Sequence, residues 1–367
     1  MPETLAPNAT AGQVADRVAE ALRGQPPVLA HCVELLGEFG IVQFALGSRP
    51  DPSSGFCTDD NARALLVAVN TLLLDPANGD ARRIGEINLA SLERAQLDDG
   101  SFHNMMDPHG GFIADGGRSE DAVARAIWAL GATVRRTRDE AWRARATALL
   151  GKAWNAVGSL SALRPRAYAL LGAAACASRI AHAREVTETL ASRLLDEFEA
   201  ASTEEWGWWE PVLTWGNARV PHAMLRAALI TGSEPYRACG LRALEFLGGI
   251  TQPDDVFIPI GNDGWYPRGG RRALYDQQPI EACAMVDAWL AAADLTGERS
   301  YRRQALHAFY WYFGVNTEGL NVAQPENGGC RDGLHHGEVN ENMGAESTLS
   351  YLLAHVAIAR DALGLAP

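Results

Sequence analysis

Thr58-Asp59-Asp60-Asn61-Ala62-Arg63-Ala64-Leu65-Leu66-Val67-Ala68 has the pattern of a helix that starts at a polar mouth and runs into a core. A threonine hydroxyl ahead of a helix accepts from the free N–H groups of the first turn, so Thr58 reads as an N-cap. Asp59 and Asp60 follow where the helix dipole favours negative charge. Beyond them the run is Ala, Leu and Val, broken by Asn61 and Arg63. A helix with no polar face is buried on all sides. It needs a shell of other helices around it, and its two mouth carboxylates are a candidate site.

The same kind of helix recurs along the chain. Nearly apolar, small-residue segments begin near Thr58, Ser119, Ser161, Trp215, Pro279 and Asn342, with spacings of 61, 42, 54, 64 and 63 residues. No fixed period exists, so the repeat is one of structure. Each segment is preceded by an amphipathic one, at 28–39, 84–96, 139–157, 182–200, 235–248 and 299–313. In the third of these, Trp142, Ala146, Leu149, Leu150 and Ala153 form a stripe between Arg143, Arg145 and Lys152. Two helix types make two layers, and six hairpins closing in a ring give an all-α (α/α)6 toroid. Strand signals are few, the clearest being Val256-Phe257-Ile258-Pro259-Ile260. Residues 1–25 read as a loose lead-in with one helix at Gln13–Leu22. No Pro/Ser-rich linker divides the remainder, so 26–367 is expected to be one domain.

Composition narrows the function. The net charge of −13 disfavours nucleic acid and anionic membranes as partners, since both reward basic surfaces. No run of ~18 apolar residues is present, so no spanning helix is expected. The N-terminus lacks a hydrophobic signal core, which predicts a cytoplasmic protein. Six scattered cysteines with no Cys-x-x-Cys read as reduced, buried thiols. No metal-ligand spacing recurs among His103, His222, His335 and His336, no nucleotide-binding glycine motif is present, and no cofactor is expected.

The loops entering the apolar helices hold the unusual residues, and in a ring they open on one face. Segments 97–118 and 250–278 exceed the usual ~12–15-residue limit for irregular connections, a sign of function. Carboxylates, amides and tryptophans gather in these loops. Sugar faces stack on indoles, hydroxyls pair with amides and carboxylates, and glycosidic cleavage needs two carboxyl groups. The catalytic candidates are Asp60, Glu120, Asp121, Glu281 and Glu346. Substrate-binding candidates are Asp59, Asn61, His103, Asn104, Trp208, Trp209, Asn217, Trp265 and Tyr266. Arg268, Asp276, Gln277, Gln278, Asp332, His335, Glu341 and Asn342 complete the set. Within the first pair, Asp59 is expected to cap or orient and Asp60 to touch substrate. The plainer role for each acidic pair is helix capping. Arg63, Arg125 or Arg219 would be structural partners for a buried Glu281 or Glu346, and some of the Trp206-Trp208-Trp209 cluster would be core. The basic turn Arg268-Gly269-Gly270-Arg271-Arg272 offers an anion a place, which would turn a hydrolase into a phosphorylase.

With these residues in view, the chain resembles the six-hairpin glycosidase superfamily. It is most similar to a bacterial group found alone or as the C-terminal part of glycosyltransferases. The resemblance lies in Gly55–Ala64, in Ser119-Glu120-Asp121 with Arg125–Gly131, and in Gly261–Gly270. It continues through Asp276–Ala282 and Gly328–Leu334 to Asn342 and Gly344–Thr348. It implies an (α/α)6 toroid and a role on carbohydrate, with mannose-containing glycans as the implied class and a glycosyltransferase as the implied partner. It assigns no catalytic pair.

Three functions compete. The first is a glycoside hydrolase, expected to invert, its acid and base drawn from the five catalytic candidates. The second is a sugar 2-epimerase or isomerase, in which His103, His222 and His335 would point into one cavity and move a proton beside a carbonyl. The third is a non-catalytic glycan-binding partner of a glycosyltransferase. Sugar identity, linkage and oligomeric state are open at this level.

Overall fold

A computed structural model describes residues 11–114 and 119–365. Six helices form the inner layer: α3 (Thr58–Leu74), α5 (Glu120–Arg136), α7 (Leu163–Cys176), α9 (Arg219–Thr231), α11 (Pro279–Thr296) and α13 (Ala345–Ala362). Each packs on the next, and α13 returns to α3, so the ring closes. Outside it lie α4 (Gly79–Ala95), α6 (Glu140–Val157), α8 (Ala181–Ala201), α10 (Glu234–Thr251) and α12 (Arg299–Tyr310), each against the inner helix before it. The fold is the (α/α)6 toroid that the alternation of helix types predicts.

The sixth outer position departs from expectation. Instead of a helix over 28–39, only α2 (Ala30–Glu34) forms, touching α13 and α4. Gly37 and Gly40 end it: the Gly37 N–H donates to the Gly40 carbonyl at 2.8 Å, and Gly40 has φ +150°. The lead-in helix α1 (Ala11–Leu22) is docked on α12, with Val18 and Leu22 packed on the core.

Inner helices approach closely because of their small residues. A Cβ at Gly131 would lie 2.1 Å from the Gly172 carbonyl oxygen, and one at Gly172 would lie 2.4 Å from that of Ile127. The α5–α7 seam is therefore backbone against backbone. Gly131→Ala or Gly172→Ala is expected to lower stability by about 3 kcal/mol, the upper range for overpacking. Gly151→Ala on α6, with nothing within 4 Å, should instead stabilise by ~0.5–1 kcal/mol. Urea unfolding midpoints check both, and equal effects at the three sites would contradict the seam.

Strands are confined to short two-stranded ladders in the loops. Phe56–Cys57 pairs with Met105–Met106, Val212–Leu213 with Tyr266–Pro267, and Gly333–His335 with Glu338–Asn340. The expected strand at 256–260 does not form. Phe257 and Ile260 drop into the core instead, and the carbonyls of Ile258 and Pro259 are taken by the Arg272 guanidinium. That use also withdraws Arg272 from the anion role read from its basic turn. All six cysteines are buried and free. Among the described residues, no helix is long and apolar enough to cross a membrane.

Candidate active site at the mouth of the toroid

The chain enters α3 as a strand, so Cys57 occupies the cap position and Thr58 is the first helical residue. The Thr58 hydroxyl donates to the His103 carbonyl at 2.6 Å rather than capping its own helix. Ser119 does cap α5, accepting from the Ala122 N–H at 3.3 Å. This anchoring sets the rotational phase of α3 and α5, and with it which acid of each pair faces inward.

At the N-terminal ends of the inner helices lies a cavity of about 320 Å³. Asp59, Arg63, Asp121, Arg125 and Glu346 line one side of it, and Trp215, Asn262, Trp265, Gln278 and Ile280 the other. Three carboxylates, two guanidiniums, two indoles and two amides thus face one space. Several of its polar atoms are buried without a hydrogen-bond partner, namely Oδ1 of Asp59, Asp121 and Asn262 and Nε of Arg125. Buried polar groups normally pair, so these atoms are available to a ligand.

Arg63 organises the acidic side. Its guanidinium contacts Asp60 Oδ1 and Glu346 Oε2, both at 2.5 Å. Asp60 sits behind the wall at 2% exposure, where burial pushes its pKa up to about 6 against the pull of Arg63. Glu346 opens to the cavity. Enclosure would raise its pKa, but Arg63 and Arg125 hold it below the ordinary carboxylate value. Asp121 is shifted the other way: burial raises its pKa more than Arg125 lowers it. Two carboxyl groups on one cavity are therefore biased to opposite protonation states.

The aromatic side is held with equal care. The Trp215 ring lies near the Arg125 and Arg164 guanidiniums, 5.7 and 5.3 Å from its centroid. Its turn is fixed from beneath by Glu281, whose carboxylate accepts the Gly216 N–H. Trp265 has φ +57°, the left-handed region, which is strained for a bulky residue. Gln278 is oriented by Asp276, which accepts its side-chain N–H at 2.7 Å and meets His335 Nδ1 at 3.4 Å. Asp332 accepts the Gly344 N–H at the start of α13, 2.9 Å away.

Of the catalytic candidates, then, Asp121 and Glu346 face the cavity. Asp60 and Glu281 lie just behind it, and Glu120 lies outside. Glu120 caps α7, accepting from the N–H groups of Ser161 and Ala162, each at 2.9 Å, and from the Ser161 hydroxyl at 2.7 Å. The expected division of the first pair is reversed, because Asp59 reaches the cavity and Asp60 does not. Among the binding candidates, Trp265 and Gln278 join Asp59 on the wall. The others serve elsewhere. Asn61 accepts the Ile41 N–H, Asn217 accepts the Thr214 N–H, and Asn342 accepts the Gly47 N–H. Gln277 accepts the Trp311 indole N–H at 2.8 Å. Trp208 and Trp209 are core, the latter bonded to the Leu194 carbonyl. Tyr266 packs on Trp206, Arg268 bonds Thr203, and Glu341 pairs with Arg331. His103 stacks on Phe112 with centroids 4.2 Å apart; the Asn104 main-chain carbonyl accepts the Thr58 N–H, while its side-chain Oδ1 is buried without a partner and does not line the cavity. Arg63, Arg125, Trp215 and Asn262 were not among the binding candidates. The loop and helix-mouth positions they occupy are the signal that could have found them.

The three histidines of the epimerase reading do not converge on this cavity. His222 lines a different cavity at the opposite end of the ring. Among the described residues, no group of three or more His, Cys, Asp or Glu could hold a metal ion.

Burial of Asp60 and Glu281 gives a pH signature. The folded chain raises them from 3.8 to about 6 and from 4.5 to about 7. A carboxyl with a raised folded pKa binds its proton more tightly when folded, so stability falls as pH rises through that window. Glu281→Gln keeps an acceptor for Gly216 and removes the titration. It is expected to remove about 2–3 kcal/mol of the stability loss between pH 5 and pH 8. Urea midpoints at both pH values check this, and parallel curves for wild type and variant would contradict it.

No family model matches the chain, and no curated protein matches it. Solved structures do match in fold. Cellobiose 2-epimerase from Spirochaeta thermophila superposes with a TM-score of 0.72 at 14% identity, covering 97% of this chain and 99% of that one. A D-mannose isomerase gives 0.70 at 10% identity over 98% and 100%. A GH76 α-mannanase from Bacteroides thetaiotaomicron gives 0.61 at 9% identity over 97% of each chain. The chain is thus similar over nearly its whole length to six-hairpin toroids.

Proposed function

We propose that this protein is a carbohydrate-active enzyme whose mouth cavity performs acid–base chemistry with carboxylates. The observation that carries the reading is the pairing of Asp121, pushed up by burial, with Glu346, held down by Arg63 and Arg125, on one cavity beside Trp215 and Trp265. Groups whose environments push their pKa values apart divide into acid and base. In glycoside hydrolysis, Asp121 donates its proton to the glycosidic oxygen as the C–O bond breaks. Glu346 or Asp59 takes a proton from the attacking water. The indoles stack on sugar faces, and Asn262 and Gln278 bond hydroxyls.

Sugar 2-epimerisation or isomerisation is the second reading. It is favoured by the better superposition of the epimerase and the isomerase than of the mannanase. Since no histidine lines the cavity, its base would be one of the same carboxylates, removing the proton beside the carbonyl.

One experiment separates them. The protein is incubated with manno- and gluco-oligosaccharides and the free sugars in deuterated water, with and without phosphate, and followed by anomer-resolved NMR. New reducing ends, with the initial anomer of the product resolved, support hydrolysis. A sugar 1-phosphate formed only with phosphate supports phosphorolysis. Deuterium at C2 without chain cleavage supports epimerisation or isomerisation. Binding without turnover across the panel would overturn the enzyme reading and leave a glycan-binding partner of a glycosyltransferase.

A further inference from the structure

One guanidinium serves two carboxylates where the ring closes. Arg63 Nη1 meets Asp60 Oδ1 and Arg63 Nη2 meets Glu346 Oε2, each at 2.5 Å. Asp60 and Arg63 stand one turn apart on α3, whereas Glu346 comes from the first turn of α13. The arginine and Asp60 are buried, and Glu346 is half-exposed at the cavity. The second oxygen of Asp60 meets only a weak donor, the Cys57 thiol, at 3.5 Å. Arg63 with Glu346 alone would be neutral. Asp60 therefore adds a buried charge, which is costly, at a contact that ring closure does not require.

The other charged groups near the trio are Asp59 on α3, Asp121 and Arg125 on α5, and Asp332 in the loop before α13. Tyr168 on α7 and Cys283 on α11 face Arg63, and burial pushes that thiol up to about 12, so it stays neutral. Arg125 acts on Glu346 through space without an ion pair among the described residues. Arg63 alone contacts both acids. Any change of charge on Asp60 is therefore felt by Glu346 through one shared cation.

We infer that Asp60 is a positioning residue for Glu346: ionised, it draws on Arg63 and makes Glu346 a stronger proton acceptor, and protonated, it releases Arg63 to Glu346 and weakens it. For its effect on rate, this rests on the reading of Glu346 as the catalytic base. A like charge competing for the same counter-ion raises a carboxyl's affinity for protons, and acids so linked titrate as a pair. The order of the two steps follows from their surroundings. Burial places the Asp60 step at about 6, whereas the arginines hold Glu346 below the ordinary carboxylate value. As pH falls, Asp60 takes its proton first while Glu346 is still ionised. Glu346 is thus the stronger base above that step and the weaker one below it.

The test is NMR of the two carboxyl groups in isotope-labelled whole chain, assigned by through-bond correlation and followed from about pH 4 to pH 8. Steady-state kcat/KM is measured over the same range on whichever sugar is converted. In the wild type the Glu346 resonance should show a step near pH 6, and Asp60→Asn should remove it. That variant should be about three-fold slower than wild type at pH 8, for a change of about one pH unit in base strength. The gap should close toward pH 5, which a purely structural role would not produce. No step in the wild type, or one that survives Asp60→Asn, overturns the proposal whatever the rates do. If Asp60→Asn does not fold, Glu346→Gln supplies the reciprocal measurement. Asp60 should then titrate below about 6, and an unchanged Asp60 overturns the proposal. Coupled titration with rates indifferent to Asp60→Asn at every pH supports the link between the two acids and overturns instead the reading of Glu346 as base.

Discussion

Asp121→Asn is expected to lower turnover by about 10²–10⁴-fold, the range for losing a positioned proton donor or acceptor, while leaving the fold intact. The side chain stays the same size, and its Oδ1 has no protein partner to lose. The neighbouring residue supplies the control. Glu120→Ala removes the cap on α7 and should cost about 1 kcal/mol of stability with turnover preserved. Steady-state rates on whichever sugar the wild type converts, together with urea midpoints, separate the two. Equal loss of turnover in both variants would refute the division of the acidic pair.

The second large effect concerns Arg63. Removing it leaves Asp60 buried without its counter-charge, and breaking a buried pair costs about 3–5 kcal/mol. Arg63→Met is expected to show that loss at pH 8. Asp60 without Arg63 would titrate above its present value of about 6, so the deficit should shrink at pH 5, where the carboxyl is protonated. Adding Asp60→Asn to Arg63→Met should recover much of the loss at pH 8. Urea unfolding of the three proteins at both pH values is the measurement. A deficit independent of pH would mean that Arg63 acts by packing alone.

How the fold was legible follows from its helices. Apolar and amphipathic segments alternate because one layer touches protein on every side and the other touches water. Both patterns survive in the sequence around Ala64–Ala68 and Trp142–Ala153. The shortened sixth outer helix was hidden because Gly37 and Gly40 act through backbone geometry, which a hydrophobic stripe does not report.

The site was legible as a region and not residue by residue. An all-apolar helix has no polar face to reveal its phase, so Asp59 and Asp60 look alike until the Phe56–Cys57 ladder fixes how α3 begins. Glu120 and Asp121 differ for the same reason, one turning out to cap α7 and the other inward. Amides such as Asn61, Asn217 and Gln277 are the residue types a sugar site needs. They are also the types that hold long loops together, and here they do the second job. Trp208 and Trp209 fill the core beneath the mouth, whereas Trp215 and Trp265 reach the cavity. Local sequence around the four does not distinguish them.

Whether the mouth cavity holds the sugar is tested by a crystal structure of Asp121→Asn with an oligosaccharide that the wild type converts. The expected result is a sugar ring against Trp215 or Trp265, the reacting bond within reach of residue 121 and Glu346, and hydroxyls on Asp59, Asn262 or Gln278. Sugar bound at the opposite end of the ring, or bound at the mouth with its reacting bond away from residue 121 and Glu346, would contradict it.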